Sequence, residues 1–372
     1  MALIEKDLLG TRNKIEEAIG RLKAFEPPDG YFLAFSGGKD SQCIYHLAEM
    51  AGVKFDAHYS VTSVDPPELI RHMKKYYPDV IWDYHRWPDG RRKTMWNIIE
   101  AHTIPPTRQA RYCCSELKET GGKGRVVVTG VRWAESAKRK AIHGVAEIRT
   151  TAKKLHKQAE EGDSVVKKTK RGDSIVFMDD NSTSRNMVEQ CYAKKKTTVN
   201  PIIDWTEEDV WEFLNDVVKV PHCELYDEGF TRLGCIGCPL QGRKGMLRDF
   251  ERWPRYKQKY IKAFDRMIAN HPGEIKVASG EHAGGYSDIH RMGRLELLTS
   301  DEPKSKRPAT QESSQTIQVE RERERESEVA HRQMVDQRTG NNPMVGGEQL
   351  LTWWMWILRE PTDREEKNPL IL

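Results

Sequence analysis

Short apolar runs alternate with helix-forming segments in the first third of the chain. The apolar run at 31–35 stops at Ser-Gly-Gly, which is typical of a buried strand that ends in a turn. Because strands that alternate with helices indicate βαβ units, we expect an α/β fold with a Rossmann-like, mostly parallel sheet flanked by helices. The pattern predicts strands over 31–35, 54–59, 80–84 and 125–129, and helices over 41–50 and 66–77.

The pattern changes outside this alternating region. Residues 1–30 are predicted as an N-terminal helix, and residues 31–240 as the main domain. Within the main domain, the basic interval 140–199 has weak periodicity, so we interpret it as an insertion. A further helix is predicted over 207–217, with Thr206 as its N-cap.

Three segments follow the main domain. A long pattern of helical period predicts a helical extension over 241–300. Residues 301–333 have almost no large apolar side chains, and burial cannot offset their ordering entropy, so we expect a disordered or solvated linker. Residues 334–372 contain Leu-Leu-Thr-Trp-Trp-Met-Trp-Ile-Leu, which predicts an apolar helix that docks on the globular body.

Composition limits the class of protein. The chain has 372 residues, enough for two or three domains, and 31% of them are charged. It has no apolar run of the roughly 18–20 residues that span a bilayer, and its first residues lack the pattern of a signal peptide. We therefore expect a cytoplasmic protein without a membrane partner.

Charge is nearly balanced overall but uneven along the chain. There are 60 Lys and Arg against 56 Asp and Glu, which is too mild an excess to identify a nucleic-acid partner. Residues 138–171 hold eleven basic and four acidic residues. Such a block can meet phosphates, although a solvated basic loop is the commoner explanation.

The seven cysteines are an odd number in a chain without an export signal. That count argues against a disulfide framework and indicates reduced thiols, a metal centre or catalysis. Cys113-Cys114 and Cys235-x-x-Cys238 form two pairs. Four thiolates can hold a [4Fe–4S] cluster or Zn²⁺, and free or redox thiols are the third alternative.

The sequence Ser36-Gly37-Gly38-Lys39-Asp40-Ser41 lies between the first predicted strand and a helix. Two glycines let the backbone turn sharply, and amides at a helix start favour an anion. The serine hydroxyls can donate to phosphate oxygens, and Lys39 adds positive charge. Asp40 is unusual beside an anion, so we expect it to shape the loop or to organise Mg²⁺ and water; an ordinary glycine turn is the alternative.

This loop resembles the PP-loop of the adenine-nucleotide α-hydrolase-like (HUP-type) superfamily, which includes ATP pyrophosphatases and the phosphoadenosine phosphosulfate (PAPS) and adenosine phosphosulfate (APS) reductases. The segments at 226–239, 130–139 and 200–211 are similar to further signatures of the PAPS reductase family. In that family a Cys-Cys pair and a distant Cys-x-x-Cys hold a [4Fe–4S] cluster. The resemblance therefore implies a cluster on Cys113, Cys114, Cys235 and Cys238, in preference to zinc.

Other site residues follow from charge and position. Gly130 ends a predicted strand at the sheet edge where open α/β folds bind ligands, and Arg132 can reach a phosphate or sulfate there. Arg139, Arg232 and Lys118 are further candidates for anion contacts, with surface salt bridges as the alternative. Asp65 is expected to contact ribose or metal, or to cap the following helix. We expect Lys39, Asp40 and Arg132 to be catalytic.

The chain departs from the reductases in one respect. They use a nucleophilic cysteine near the C-terminus, whereas no cysteine follows Cys238 here. Cys191 and Cys223 are left as alternatives. Relatives with a nucleotide loop and a cluster but without that cysteine split ATP into AMP and pyrophosphate during sulfur transfer.

Three hypotheses result. The first is an ATP pyrophosphatase in sulfur transfer to nucleic acid, with ATP, Mg²⁺, a [4Fe–4S] cluster and a sulfur-donor protein such as a cysteine desulfurase. The second is a sulfonucleotide reductase that releases sulfite, with thioredoxin as the partner. The third is a non-catalytic module that binds nucleotide or nucleic acid.

Overall fold

The structure, a computed structural model, describes residues 3–7, 10–149, 165–169, 172–189 and 196–271, together with 347, 348, 350, 351 and 354. The predicted linker 301–333 and Cys191 lie outside the described residues. Among the described residues, no helix is both long and apolar enough to cross a bilayer.

Strands and helices alternate as the sequence predicts, with boundaries within a few residues of those expected. The strands are β1 Ile4–Asp7, β2 Gly10–Asn13, β3 Tyr31–Ala34, β4 Phe55–Ser60, β5 Ile81–Asp83, β6 Val126–Val128, β7 Ala146–Arg149, β8 Val165–Thr169, β9 Gly172–Phe177 and β10 Lys196–Val199. The helices are α1 Lys14–Ala24, α2 Lys39–Ala51, α3 Pro67–Tyr76, α4 Met95–Ala101, α5 Tyr112–Leu117, α6 Ala137–Ile142, α7 Ser182–Glu189, α8 Glu207–Glu212, α9 Gly242–Arg252 and α10 Pro254–Asn270.

One mixed sheet forms the centre of the molecule, in the order β5-β4-β3-β6-β10-β7-β9-β8. The strands from β5 to β10 in this order pair in parallel, and β7, β9 and β8 extend the sheet with antiparallel pairs. Helices pack on this sheet around a core of aliphatic and aromatic side chains. The predicted α/β class with a mostly parallel sheet is confirmed.

The prediction of a helix over 1–30 is wrong for its first part. β1 and β2 pair antiparallel, and only then does α1 begin, with the Asn13 side chain accepting hydrogen bonds from the amides of Ile15 and Glu16. Lys14 at the start of α1 is buried, and its Nζ lies 2.8 Å from Asp209 Oδ2. This long-range ion pair fixes the hairpin and α1 against α8, which local sequence alone does not indicate.

The interval 140–199 contributes strands to the central sheet. Its described residues form β7, β8, β9 and β10, and β10 lies between β6 and β7 although it comes last along the chain. Asn200, directly after β10, is fully buried and donates to the carbonyl of Gly144 and to Glu147. The insertion is therefore integrated into the domain rather than carried on its surface.

The C-terminal part contacts the body through a tryptophan. α9 and α10 follow residue 241 as the helical period predicts, and the remainder of the predicted extension, 272–300, lies outside the described residues. Trp354 is fully buried against Tyr260 and Phe264 of α10, and its indole donates to the carbonyl of Pro106. Docking of this apolar segment was expected from its composition.

Candidate nucleotide site and cysteine cavity

The carboxyl ends of the parallel strands carry the predicted nucleotide residues to one edge of the sheet. The loop at 36–41 follows β3, Asp65 follows β4, and Gly130 and Arg132 follow β6. Because β6 and β10 are also parallel, the start of α8 after β10 reaches the same edge. Open α/β sheets bind ligands at this edge.

The loop at 36–41 is fixed by its own hydrogen bonds and by close packing against α3. Gly37 has a φ of +74°, and a Cβ built there would lie 2.5 Å from Met73 Sδ, so only glycine fits. The Ser41 hydroxyl and the Gln42 amide group donate to the carbonyls of Gly38 and Gly37. The buried amides of Gly37 and Gly38 have no hydrogen-bond partner among the described residues, which leaves two donors at the start of α2 for a ligand.

Lys39 is buried, with 4% of its surface exposed. Its Nζ donates to the carbonyl of Thr231 at 3.1 Å and lies 3.3 Å from Glu207 Oε1. Its backbone amide donates to the Tyr226 hydroxyl at 2.9 Å. Lys39 therefore ties the loop to the segment before the second cysteine pair, and burial raises the pKa of Tyr226, which keeps that hydroxyl protonated.

Arg132 joins the loop to α8. The side chain is almost fully buried; its Nε donates to Asp40 Oδ1 and its Nη2 to Glu207 Oε2, both at 2.7 Å. Burial opposes the charge, but the two carboxylates outweigh it and raise the pKa of Arg132. In this structure the guanidinium is engaged by carboxylates, so its role at the edge is to hold Asp40 in place.

Arg139 adds positive charge near Asp40, and Arg232 lies near Arg139. Arg139 donates to Glu135 at 2.8 Å, while burial, and then the proximity of Arg232 and Arg132, lower the pKa of Arg139. Arg232 is exposed and has no ion-pair partner among the described residues. Two neighbouring guanidinium groups that repel each other form a site that an anion would stabilise.

Gly130 acts through packing. A Cβ at this position would lie 2.8 Å from the carbonyl oxygen of Asp40. The absence of a side chain therefore lets β6 approach the first turn of α2, which sets the height of the loop above the sheet.

Asp65 lies on the side of the cysteines. It is 6% exposed and accepts hydrogen bonds from the hydroxyls of Tyr59 and Thr62. The N-cap of α3 is Pro66, without a side-chain cap, so the alternative that Asp65 caps this helix is wrong. Asp65 Oδ1 lies 3.9 Å from Cys235 Sγ, which links the nucleotide edge to the cysteines.

Four cysteines line one cavity. Cys113 and Cys114 lie in α5, and Cys235 and Cys238 lie in the turn before α9. The cavity has about 340 Å³ of empty space, including the part open to solvent. Its other lining residues are Thr62, Met95, Pro106, Leu117, Lys118, Pro239 and Tyr260.

The chemistry of this cavity fits a thiolate-bound group. The hydrogen bond with Cys113 lowers the pKa of Cys114 to about 5, whereas burial raises the pKa of Cys235 to about 12. The charge of Cys235 raises the pKa of Lys118, so this predicted anion contact lies by the cysteines. Within the described ranges, no group of three or more His, Cys, Asp or Glu side chains is arranged so that it could hold a metal ion. The donor types and the shared cavity fit an iron–sulfur cluster.

Sequence reasoning missed three contributors to the nucleotide edge. Tyr226, Thr231 and Glu207 contact Lys39 or Arg132 from positions more than 70 residues away along the chain. Tyr226 belongs to a segment quoted for its similarity to the reductases, and that motif is the only signal that marked it. Glu207 likewise lies in the segment 200–211 that is similar to the family, but its carboxylate has no signal of its own because it resembles an ordinary first-turn acid of a helix.

Parts of this chain resemble known proteins. An uncharacterised protein of Methanocaldococcus jannaschii is 27% identical over 243 residues, which are 63% of this chain and 47% of the archaeal one. An adenosine 5'-phosphosulfate reductase of Oceanobacillus iheyensis is 45% identical over 47 residues, 13% of this chain and 19% of the reductase. The chain thus spans about half or less of the curated relatives it matches.

Solved structures give a distant likeness. A PAPS reductase from Candida auris, crystallised as a phosphate complex, covers 60% of this chain and 87% of its own, with 13% identity and a TM-score of 0.34. The sequence model of the phosphoadenosine phosphosulfate reductase domain matches residues 30–241, more than half of the chain and the region that contains the loop and all four cavity cysteines. The chain therefore belongs to the phosphoadenosine phosphosulfate reductase family.

Proposed function

We propose that this protein is a PP-loop enzyme that splits ATP into AMP and pyrophosphate to activate an acceptor for sulfur transfer. The observation that carries the proposal is the pair of amides at Gly37 and Gly38 that have no hydrogen-bond partner among the described residues. Arg139, which lies near Arg232 and near Asp40 of the same loop, adds positive charge. Backbone amides at a helix start and adjacent arginines suit a polyphosphate. The family supports an enzyme of this superfamily.

Each residue of the edge has a separate role in this proposal. The amides of Gly37 and Gly38 and the Ser36 hydroxyl hold the phosphates, while the Ser41 hydroxyl shapes the loop by donating to the Gly38 carbonyl. Arg232 and Arg139 neutralise the departing pyrophosphate. Lys39 and Arg132 keep Asp40 at the mouth of the site, where its partly exposed carboxylate can orient the Mg²⁺ of the nucleotide.

The proposed reaction has two steps. An oxygen of the acceptor attacks the α-phosphorus of ATP, the bond from that phosphorus to the pyrophosphate oxygen breaks, and the acceptor is adenylated. A sulfur nucleophile then attacks the activated carbon or phosphorus of the acceptor, and AMP leaves with the oxygen. The arginines act in the first step, because negative charge grows on the leaving pyrophosphate.

In the same proposal, Cys113, Cys114, Cys235 and Cys238 hold a [4Fe–4S] cluster, with zinc as the alternative. When bound, the cluster supplies a sulfur-binding or bracing group next to the nucleotide edge. Lys118 balances the negative charge of the thiolates, and Asp65 fixes the position of Cys235 through Thr62.

The proposed acceptor is a nucleic acid, and the proposed sulfur donor is a protein of the cysteine desulfurase type. The acceptor is supported by the basic α9 and by the basic residues at 138–149 that precede the undescribed part of the insertion. The cytoplasm is the proposed compartment, since cluster thiolates need reducing conditions.

Pyrophosphate release tests the catalytic part. We expect the protein, purified without oxygen, to release pyrophosphate and AMP from ATP with Mg²⁺ when the acceptor and sulfide are present. Arg232→Gln should lower kcat/KM for ATP about tenfold, mainly through kcat, because the lost charged hydrogen bond acts on the leaving pyrophosphate. Arg71→Gln, which removes another exposed arginine, is the control. Saturating ATP binding without turnover in any mixture contradicts the proposal.

Iron and sulfide analysis tests the cofactor. The protein should bind about four iron and four sulfide ions per chain and absorb in the visible range, as the four thiol ligands require. Cys235→Ser should lose this absorption, whereas Cys223→Ser should keep it. If the protein instead contained stoichiometric zinc and no iron, the four cysteines would hold zinc and the cluster proposal would be wrong.

Reduction of a sulfonucleotide is the second candidate, favoured by the 45% identity with an APS reductase over 47 residues. This candidate is weakened by the properties of Cys223, its candidate nucleophile among the described residues. Cys223 is 1% exposed, and burial raises the pKa of its thiol, which disfavours the reactive thiolate. Release of sulfite from APS or PAPS in the presence of thioredoxin would establish this activity.

The third hypothesis, a non-catalytic binding module, predicts that neither ATP nor the Ser36→Ala change alters nucleic-acid binding.

A further inference from the structure

The loop after β5 folds as a compact hairpin at residues 84–93, which we call the basic hairpin. The amide of Trp87 donates to the carbonyl of Arg91 at 2.9 Å, and the amide of Lys93 donates to His85 at 2.7 Å. Its turn is fixed by Gly90, with a φ of +84°, and by Asp89, whose side chain accepts from the Arg91 amide. The hairpin therefore presents its side chains from a defined backbone.

The arrangement of like charges in the basic hairpin lowers its stability. It contains four Lys or Arg residues and one Asp, and Arg86 and Arg92 form an antiparallel bridge, directly opposite each other. Like charges in that position destabilise a strand pair. Arg91 is paired with Asp89, and Lys93 with a glutamate of α5, but Arg86 and Arg92 have no carboxylate partner among the described residues.

An exposed aromatic side chain lies with these charges. The Arg92 guanidinium stacks on the Tyr84 ring at 4.0 Å from its centroid, and Tyr84 is 44% exposed. The Lys93 ammonium lies 4.4 Å from the centre of the Trp87 ring. Arg86, whose Nη1 donates to the carbonyl of Gly90 at 2.8 Å, and Arg92 thus keep their charges without a carboxylate partner among the described residues. Such guanidinium groups and a solvent-facing aromatic ring are the features that bind phosphates and unpaired bases.

The basic hairpin is braced against the helix that carries two of the cavity cysteines. Trp87 packs on the small apolar cluster of α4 and α5, which also contacts Cys113. Lys93 Nζ lies 2.9 Å from Glu116 of α5, and His85 contacts Thr120 just beyond it. Since β5 is parallel to β4, the hairpin also stands at the carboxyl edge of the sheet, the edge of the nucleotide site.

We propose that the basic hairpin binds single-stranded nucleic acid, with Arg86 and Arg92 contacting successive phosphates and the Tyr84–Arg92 stack contacting a base. The proposal rests on the nucleic-acid acceptor of the proposed function and places that acceptor beside the cysteine cavity. The repulsion between Arg86 and Arg92 is relieved when phosphates lie between them. An unpaired strand is favoured over a duplex because stacking on Tyr84 needs the face of a base, which a duplex hides.

Fluorescence anisotropy with the full chain tests the proposal. Labelled single-stranded RNA and DNA of the same mixed sequence, and the corresponding DNA duplex, are titrated over a range of salt concentrations without ATP. For the preferred single strand, the Arg86→Gln/Arg92→Gln variant should lower the slope of log affinity against log salt by about 1.4, at about 0.7 per phosphate contact. Tyr84→Ala should weaken single-strand binding about tenfold with little change of slope, since stacking on one base contributes roughly 1–3 kcal/mol.

The control is Arg71→Gln/Arg185→Gln, which removes the same charge from two exposed arginines on α3 and α7 and should leave the salt slope unchanged. Three results would overturn the proposal. They are an equal loss of salt slope in this control, binding of polyglutamate in place of the oligonucleotides, and equal affinity for duplex and single strand. Pyrophosphate release without nucleic acid is measured in parallel. Loss of oligonucleotide binding with unchanged ATP binding separates a failure of the hairpin from a failure of the proposed ATP chemistry.

Discussion

At the scale of single residues, the geometry of the nucleotide edge depends on positions where adding or removing one group would disturb a specific contact. Gly130 leaves room for the carbonyl of Asp40, and Arg132 holds the carboxylate of the same residue. The sequence marks both residues, but only as candidates that follow a predicted strand. Their partners come from distant segments, so the contacts themselves cannot be predicted from local pattern.

Gly130→Ala should displace the start of α2, because the new Cβ would lie 2.8 Å from a backbone oxygen that has little freedom to move. We expect a loss of about 1–3 kcal/mol of unfolding free energy in urea and weaker ATP binding by calorimetry. Gly20→Ala in α1, where nothing lies within 4 Å, should instead stabilise the protein by about 0.5–1 kcal/mol. Unchanged ATP affinity in Gly130→Ala would argue against the packing role.

His72 should make stability depend on acid. Burial, and then the charges of His222 and Lys75, lower the pKa of His72 to about 4. Its Nε2 is buried and has no hydrogen-bond partner in the part of the chain that the structure describes. In the unfolded chain the His72 imidazole takes up a proton at about pH 6.5, whereas in the folded chain it stays neutral down to about pH 4. The free energy of unfolding therefore falls as the pH drops from about 6.5 towards 4. Urea unfolding of His72→Phe should show a shallower fall over this range; identical pH profiles would contradict the assignment.

At the scale of elements, the strands and helices of residues 31–130 follow their apolar pattern, whereas β1, β2 and the strands of the insertion do not. The sequences of β1 and β2, Ile-Glu-Lys-Asp and Gly-Thr-Arg-Asn, lack an alternating apolar face. Their pairing is stabilised by ion pairs with residues near 204–209, which a local window does not include. Local sequence therefore misses β1 and β2, which are held by distant charges. It also misses β7 and β9, although they bury Ile148 and Ile175, because the interval as a whole has weak periodicity.

The contact between Lys14 and Asp209 should matter more than a surface salt bridge. Both side chains are at least 96% buried, and Lys14→Met leaves the Asp209 carboxylate without its cation. We expect a loss of about 3–5 kcal/mol of unfolding free energy. Adding Asp209→Asn, which keeps the acceptor for the Thr206 amide, should recover part of that loss; a double variant less stable than Lys14→Met would refute the pairing.

At the scale of the whole molecule, Trp354, one of the described residues of the C-terminal segment, packs next to the cysteine cavity. Trp354 contacts Tyr260 and the carbonyl of Pro106, and both of these residues also line the cavity. Apolar composition predicts that this segment docks, but the place of docking is set by the shape of α10 and the loop at Pro106. The convergence of two cysteine pairs 121 positions apart was indicated by family resemblance and not by local pattern.

Trp354→Ala should reduce the unfolding free energy by about 3–5 kcal/mol, as for other fully buried aromatic side chains. Leu247→Ala on α9, where the side chain is 44% exposed, should change it by no more than about 0.5 kcal/mol. Thermal and urea unfolding of the two variants make the comparison. Equal stability of both would show that the segment does not pack on α10.

The position of β10 in the sheet has a consequence for how the protein is made. This strand emerges from the ribosome after β7 and β9, yet it fills the gap between β6 and β7. The helix that follows it supplies Glu207, the partner of Arg132. A nascent chain that stops before residue 196 holds the glycine loop but neither the strand that joins the two halves of the sheet nor the acid that braces it, so nucleotide affinity is expected to arise only late in translation.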